Sequence, residues 1–85
     1  MNEWQVILLK PARRYLERLA SEEQRRILDA LALLQKEPFQ LDMKPLKGRE
    51  EWRYRIGQYR ALMMVDRDQK RLIVTRIGAR GDIYK

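Results

Sequence analysis

Between Trp4 and Leu9 the side chains Trp4, Val6 and Leu8 alternate with Gln5, Ile7 and Leu9, a pattern that predicts a strand apolar on nearly both faces. Pro11 then stands at a first helical position, and Ala12, Tyr15, Leu16 and Leu19 recur at i, i+3, i+4 and i+7, the stripe of a short amphipathic helix. Ser21, with Gln24 three residues on, has the spacing of a capping box. A second stripe of Ile27, Leu28, Leu31 and Leu34 runs from there until Pro38 forbids continuation. With only Ala20 to connect them, the two helices must form an antiparallel hairpin.

From Phe39 to Glu51 there is no apolar period, and Pro38, Pro45 and Gly48 punctuate what reads as a linker. Three strand candidates follow, Trp52 to Ile56, Tyr59 to Val65 and Arg71 to Ile77, and the segment Gly78 to Lys85 ends the chain. Gly57-Gln58 between the first two fits a two-residue type II′ turn, which needs glycine at its first central position. That turn fixes the register: Ile56 faces Tyr59, Arg55 faces Arg60, Tyr54 faces Ala61 and Arg53 faces Leu62. Paired residues share a face, and so do residues two apart. Arg53, Arg55 and Arg60 therefore lie on one face, with Trp52, Tyr54, Ile56, Tyr59, Ala61 and Met63 on the other. The apolar face is expected to receive the helices, with Trp52, Tyr54 and Ile56 against Tyr15, Leu19, Ile27, Leu31 and Leu34. The fold class expected is α+β: an N-terminal strand and a helical hairpin packed on a small antiparallel sheet. The pattern leaves open whether the N-terminal strand runs parallel or antiparallel to its neighbour.

Length makes this a single domain, 1–85, in which folding removes only about 60 to 65% of the surface the unfolded chain exposes. Function is then expected on the outside of a thin core or in a partner's cleft. Charge narrows the partner. The chain has 19 Lys and Arg against 12 Asp and Glu, a net +7, and the excess is uneven: residues 1–41 hold seven basic and six acidic side chains, residues 42–85 twelve and six. Such a balance favours a polyanion, nucleic acid or a charged membrane surface, met by the second half. Cysteine and histidine are absent, which removes thiolate nucleophiles, Cys/His metal sites, disulfides and histidine acid/base pairs. No metal and no cofactor is expected. No apolar run is long enough to span a bilayer, and Met1 to Lys10 has no basic region before its apolar part, so a cytoplasmic protein with no membrane partner is expected.

The arginine face breaks a local rule, because directly opposed like charges destabilise a sheet and the nearest acidic residue the pattern places on that face is Asp66. A functional site and a set of arginines reaching into water both account for it. Arg76, Arg80 and Tyr84 add to the set, with Gly78 and Gly81 giving the backbone freedom to fold back toward the sheet. Guanidinium groups suit phosphate, since each offers a planar fork of donors and stays charged at any relevant pH. A phenol at Tyr84 can stack on a base or exchange a proton, and as the penultimate residue it also reads as a frayed terminus. Arg13, Arg14, Arg18, Arg25 and Arg26 on the helices are interleaved with Glu17, Glu22, Glu23 and Asp29 and read as a solvated face.

Lys44-Pro45-Leu46-Lys47-Gly48, Trp52 through Arg60, and Arg76-Ile77-Gly78-Ala79-Arg80 through Ile83-Tyr84 together resemble the RelE/ParE superfamily of bacterial type II toxins, the RelE-like branch in particular. The order of strand, helical hairpin and antiparallel strands is also that family's, so the resemblance spans nearly the whole chain. It implies a ribosome-dependent endoribonuclease that cuts messenger RNA in the ribosomal A site and inhibits translation. It implies as partners a cognate RelB-like antitoxin, the ribosome and mRNA, and operator DNA bound by the toxin–antitoxin complex through the antitoxin. In that family basic residues on the hairpin strands, an arginine after the last strand and a tyrosine near the C-terminus surround the scissile phosphate. The positions that match are Arg53, Arg55, Arg60, Arg80 and Tyr84. The resemblance thus casts Arg60, Arg80 and Tyr84 as catalytic and Arg53 and Arg55 as contacts to RNA phosphate, and Arg76 and Lys47 are expected to add to those contacts. The best-known members carry lysines where this chain has Arg53 and Arg55, and arginine does not act as a base. Tyr84 then becomes the leading candidate to deprotonate or orient the ribose 2′-hydroxyl. The same superfamily also contains ParE-type toxins that poison DNA gyrase without catalytic residues, and a nucleic-acid-binding relative that neither cleaves nor poisons is a third alternative.

Overall fold

A computed structural model describes residues 3–79. Strand β1 (Gln5–Leu8) leads into helices α1 (Lys10–Glu17) and α2 (Ser21–Leu33). A single 3-10 turn (Pro38–Gln40) precedes the strands β2 (Met43–Pro45), β3 (Trp52–Ile56), β4 (Tyr59–Asp66) and β5 (Arg71–Ala79). All five strands join one sheet in the order β1-β5-β4-β3-β2. The class is α+β, as the sequence predicts, but the sheet is mixed. β1 pairs with β5 in parallel, Gln5 opposite Arg71 through Leu8 opposite Val74, while the other three pairings are antiparallel. A parallel pair needs a long crossover. Here both helices and three strands lie between the partners, so the N-terminal strand closes the sheet beside its last strand.

One face of the sheet carries the core. Ile27, Leu31 and Leu34 of the α2 segment and Ala12 and Leu16 of α1 pack with Met43, Tyr54, Ile56, Tyr59, Ala61, Met63, Leu72, Val74 and Ile77. Two hydroxyls fasten the β3–β4 hairpin to α2: Tyr54 donates to the Ala30 carbonyl at 2.8 Å and Tyr59 to Glu23 at 2.9 Å. Gly57 has φ +57° and is followed directly by β4, and the pairs Ile56–Tyr59, Arg55–Arg60, Tyr54–Ala61 and Arg53–Leu62 all form. The glycine turn sets this register as expected.

Four expectations are corrected. Ser21 is not a cap: it is the first helical residue, Ala20 occupies the capping position without a side-chain bond, and Gln24 reaches back to the Leu19 carbonyl at 2.9 Å. The stretch after Phe39 is not a plain linker, because β2 pairs along its length with β3. Three residues are too few to display alternation, and Pro45 is tolerated because β2 is an edge strand. Trp52 lies on the predicted face yet only half-buried at its end, 5.0 Å from the Phe39 ring centroid and 6.0 Å from the Arg67 guanidinium, so it seals the rim of the core. The fourth concerns β5, which runs on past Ile77 to Ala79, so Gly78 is a strand residue opposite Arg60 and not part of a tail folding back. Val74 pairs with Met63 but Arg76 with Leu62, so Thr75 is an extra residue, and its hydroxyl donates to the Leu62 carbonyl at 3.2 Å. This bulge inverts the alternation. Without it Arg76 would follow Leu72 and Val74 into the core; with it Ile77 is buried and Arg76 stands on the opposite face.

Burial, and secondarily the Asp42 charge, hold the Tyr54 phenol above its usual pKa. The folded state therefore keeps its proton more tightly than the unfolded chain does. The stability this gives is complete below the unfolded value, about 10, and is lost as pH rises through the folded one. Tyr54→Phe should accordingly lose less stability than the parent between about pH 9 and 11, although at neutral pH it forfeits a hydrogen bond worth ~1 kcal/mol. Urea titrations across that range check this, and parallel pH profiles would contradict it. Among the described residues no helix is long and apolar enough to cross a membrane.

Candidate functional site

The face opposite the helices holds two cross-strand rows. Lys44, Arg53, Leu62 and Arg76 pair in sequence across β2, β3, β4 and β5, and Arg55, Arg60 and Gly78 form the next row. Five cations thus stand on one side of a small sheet. Leu62 is fully buried yet belongs to no helix-side cluster, which marks it as the apolar centre of this second face.

Arg60 is the most constrained of the set. It is 5% exposed, the only charged residue among those buried in the described part, and its Nη1 donates to the carbonyls of Gly57 and Tyr59 at 3.0 and 2.8 Å. The hairpin turn thereby fixes the plane of the guanidinium. Those carbonyl dipoles also offset part of the cost of placing it opposite Arg55.

Sequence reasoning missed the carboxylate that offsets the rest. Asp42, one position before β2, accepts the Arg55 backbone N–H through its carbonyl at 3.1 Å and spreads its carboxylate between two guanidiniums. Arg53 Nη1 lies 3.2 Å from one oxygen and Arg55 Nε 3.6 Å from the other. The nearest acid on this face is therefore Asp42, not Asp66. Only the pairing of β2 could have revealed it. Asp66 is engaged at the far end of β4, where the Arg71 guanidinium, donating at 2.9 Å, and the Gln69 N–H hold its carboxyl below the usual carboxylate range.

Of the residues singled out from sequence, Arg53, Arg55, Arg60 and Arg76 come together on this face. Lys47 does not join the rows: it is exposed in the turn between β2 and β3, and Lys44 is the lysine that pairs beside Arg53. Arg80 and Tyr84 lie outside the described residues. Among the described residues no group of three or more acidic side chains stands close enough to hold a metal ion. The arrangement offers planar donors, fixed at Arg60 and bridged at Arg53 and Arg55, to an anion lying across the strands.

Residues 6–84 match the family model of the ParE toxin of the parDE type II toxin–antitoxin system. No curated protein matches the chain. Among solved structures, a chain of the RelBE2 toxin–antitoxin complex from Mycobacterium tuberculosis is similar at 27% identity and TM-score 0.82, covering 96% of this chain and 97% of that one. The archaeal RelE–RelB complex from Pyrococcus horikoshii is similar at 26% identity and TM-score 0.79, over 96% and 99% of the two chains. A mutant of the Escherichia coli toxin RelE in the free state, at 15% identity, TM-score 0.75 and coverage of 96% and 90%, shares the fold.

Proposed function

The chain belongs to the ParE toxin family of type II toxin–antitoxin systems, within the RelE/ParE superfamily, and from that premise we propose that this toxin is a ribosome-dependent mRNA endoribonuclease. The observation that carries the proposal is Arg60: a guanidinium anchored by two backbone carbonyls in a row of arginines is a preorganised donor, the feature a developing phosphoryl charge requires.

In the proposed reaction the ribose 2′-oxygen attacks the adjacent phosphorus and its proton passes to a base. The bond to the 5′-oxygen of the next nucleotide breaks, and that oxygen takes up a proton. The products are a 2′,3′-cyclic phosphate and a 5′-hydroxyl. Arg60 and Arg80 stabilise the charge growing on the phosphoryl oxygens, and Arg53, Arg55 and Arg76 position the backbone. The ribosome supplies the alignment that so small a domain cannot provide alone. Tyr84 is the proposed base, a phenol being the remaining protein group that can take up that proton in a chain without histidine. A RelB-type antitoxin is the proposed partner that silences the site, as the relatives from Mycobacterium tuberculosis and Pyrococcus horikoshii are chains of toxin–antitoxin complexes, and the cytoplasm, where ribosomes work, is the proposed location.

Tyr84→Phe separates stacking from proton transfer, because the ring stays and the hydroxyl goes. Single-turnover cleavage on programmed ribosomes should fall by about 100-fold or more, within the range general base catalysis contributes, with affinity unchanged. Near-normal cleavage would remove Tyr84 from that role.

A second reading is favoured by the family model itself, which is that of a ParE toxin. In it the same arginine face binds DNA gyrase and cleaves nothing. Supercoiling by purified gyrase in the presence of the toxin distinguishes the two, since the ribonuclease reading expects no inhibition.

A further inference from the structure

We infer that α1 and the free edge of β5 form a second nucleic-acid contact, a groove in which Arg14, Arg18 and Arg76 clamp a phosphodiester beyond the arginine rows. This rests on the reading that the toxin handles a nucleic-acid strand.

β1 covers β5 only as far as Val74, so from Thr75 to Ala79 the strand has β4 on one side and, among the described residues, no strand on the other. That edge borders a groove of about 270 Å³ lined by Pro11, Arg14, Tyr15, Arg18, Arg76 and Ile77. Two unrelated local features aim cations into it. Arg14 and Arg18 are four residues apart at the end of α1 and so project from one side of it. The Thr75 bulge removes Arg76 from the core and places it at the sheet's rim.

The three guanidiniums differ from Arg53 and Arg55 in one respect. Arg53 and Arg55 share the Asp42 carboxylate, which an incoming phosphate must displace or tolerate. Among the described residues no carboxylate comes within ion-pair distance of Arg14, Arg18 or Arg76, Glu17 on the same helix included. Three cations around one groove, with no counter-ion among the described residues, repel one another until an anion enters. Planar forks pair with two oxygens at a time, which suits phosphate, and Pro11 and Ile77 offer an apolar floor to the sugar it carries. Arg76 also belongs to the row of Lys44, Arg53 and Leu62, so a strand lying on the sheet reaches the groove by turning round the β5 edge.

The test uses the full-length chain and a fully 2′-O-methylated single-stranded RNA of ~10 nucleotides, which 2′-oxygen attack cannot cleave and which matches the size of a single-strand site. Affinity is measured as a function of salt for the parent, for Arg14→Gln with Arg18→Gln, and for Arg25→Gln with Arg26→Gln, an equal charge change on exposed positions of α2 outside the groove. The groove variant should bind roughly tenfold more weakly at low salt, with a slope shallower by about 1.4, or 0.7 for each lost phosphate contact, while the α2 variant stays near the parent. Equal losses in both variants would reduce the effect to net charge and overturn the proposal. Poly-glutamate binding as tightly as the RNA, with the same loss in the groove variant, would overturn it in favour of an acidic-protein site. If the parent fails to cleave messenger on ribosomes but the groove variant alone loses RNA affinity, the ribonuclease reading fails and the groove stands.

Discussion

Arg60→Lys is expected to lower messenger cleavage on ribosomes by about 100-fold or more, the usual cost of losing a preorganised charge donor, while the protein remains folded. Lysine keeps the charge and loses the geometry. The Arg60 guanidinium is held in one plane by the Gly57 and Tyr59 carbonyls, and an ammonium that satisfies those two acceptors has a single remaining proton for a phosphate. Alanine is the poorer probe, because it strands the turn carbonyls and costs about 1 to 3 kcal/mol of stability for each one left buried. Affinity for the ribosome should change little in the lysine variant, so the loss appears in the single-turnover rate. A wild-type rate would mean that Arg60 serves the hairpin turn alone.

The second large effect is on folding. Tyr54→Ala should destabilise the domain by about 3 to 5 kcal/mol, as truncation of other buried aromatic rings does. For 85 residues at 0.05 to 0.15 kcal/mol each, the whole stability is roughly 4 to 13 kcal/mol, so this single change lowers Tm by at least about 12 °C or abolishes folding. Tyr54 is 4% exposed, lies at the centre of the helix-side face and donates to α2 at Ala30. Trp52, the larger ring and the anchor that sequence alone suggests, sits at the rim, where its truncation leaves a site open to water and costs less. Thermal melts of both alanine variants check the order; Trp52→Ala proving the more damaging would contradict it.

The contrast between those two residues marks how far the sequence could be read. Alternation and one glycine were enough for the β3–β4 hairpin, because a two-residue turn leaves no freedom of register and a slip by one would have exposed Tyr54 and buried Arg55. The helical stripes were equally legible, since Ile27, Leu31 and Leu34 recur at a period only a helix can bury on one side. What escaped were features whose cause lies elsewhere in the chain. β2 exists because β3 offers it an edge, and nothing within Met43-Lys44-Pro45 announces that; with it Asp42 and Lys44 stayed hidden, and these complete the charge pattern of the face. The Thr75 bulge is likewise decided by the sheet, since it lets Ile77 fill the core while Arg76 leaves it. Arg14 and Arg18 read as a solvated helix face until β5 brings Arg76 beside them.

The central claim, that a type II toxin with this arginine face cleaves messenger within translating ribosomes, is tested most directly by inducing the chain in bacteria and mapping messenger 5′ ends across the transcriptome. The account predicts new 5′-hydroxyl ends inside translated codons within minutes of induction, absent from untranslated RNA and lost with Arg60→Lys. Intact messengers accompanied by a DNA-damage response would contradict it and assign the arginine face to gyrase.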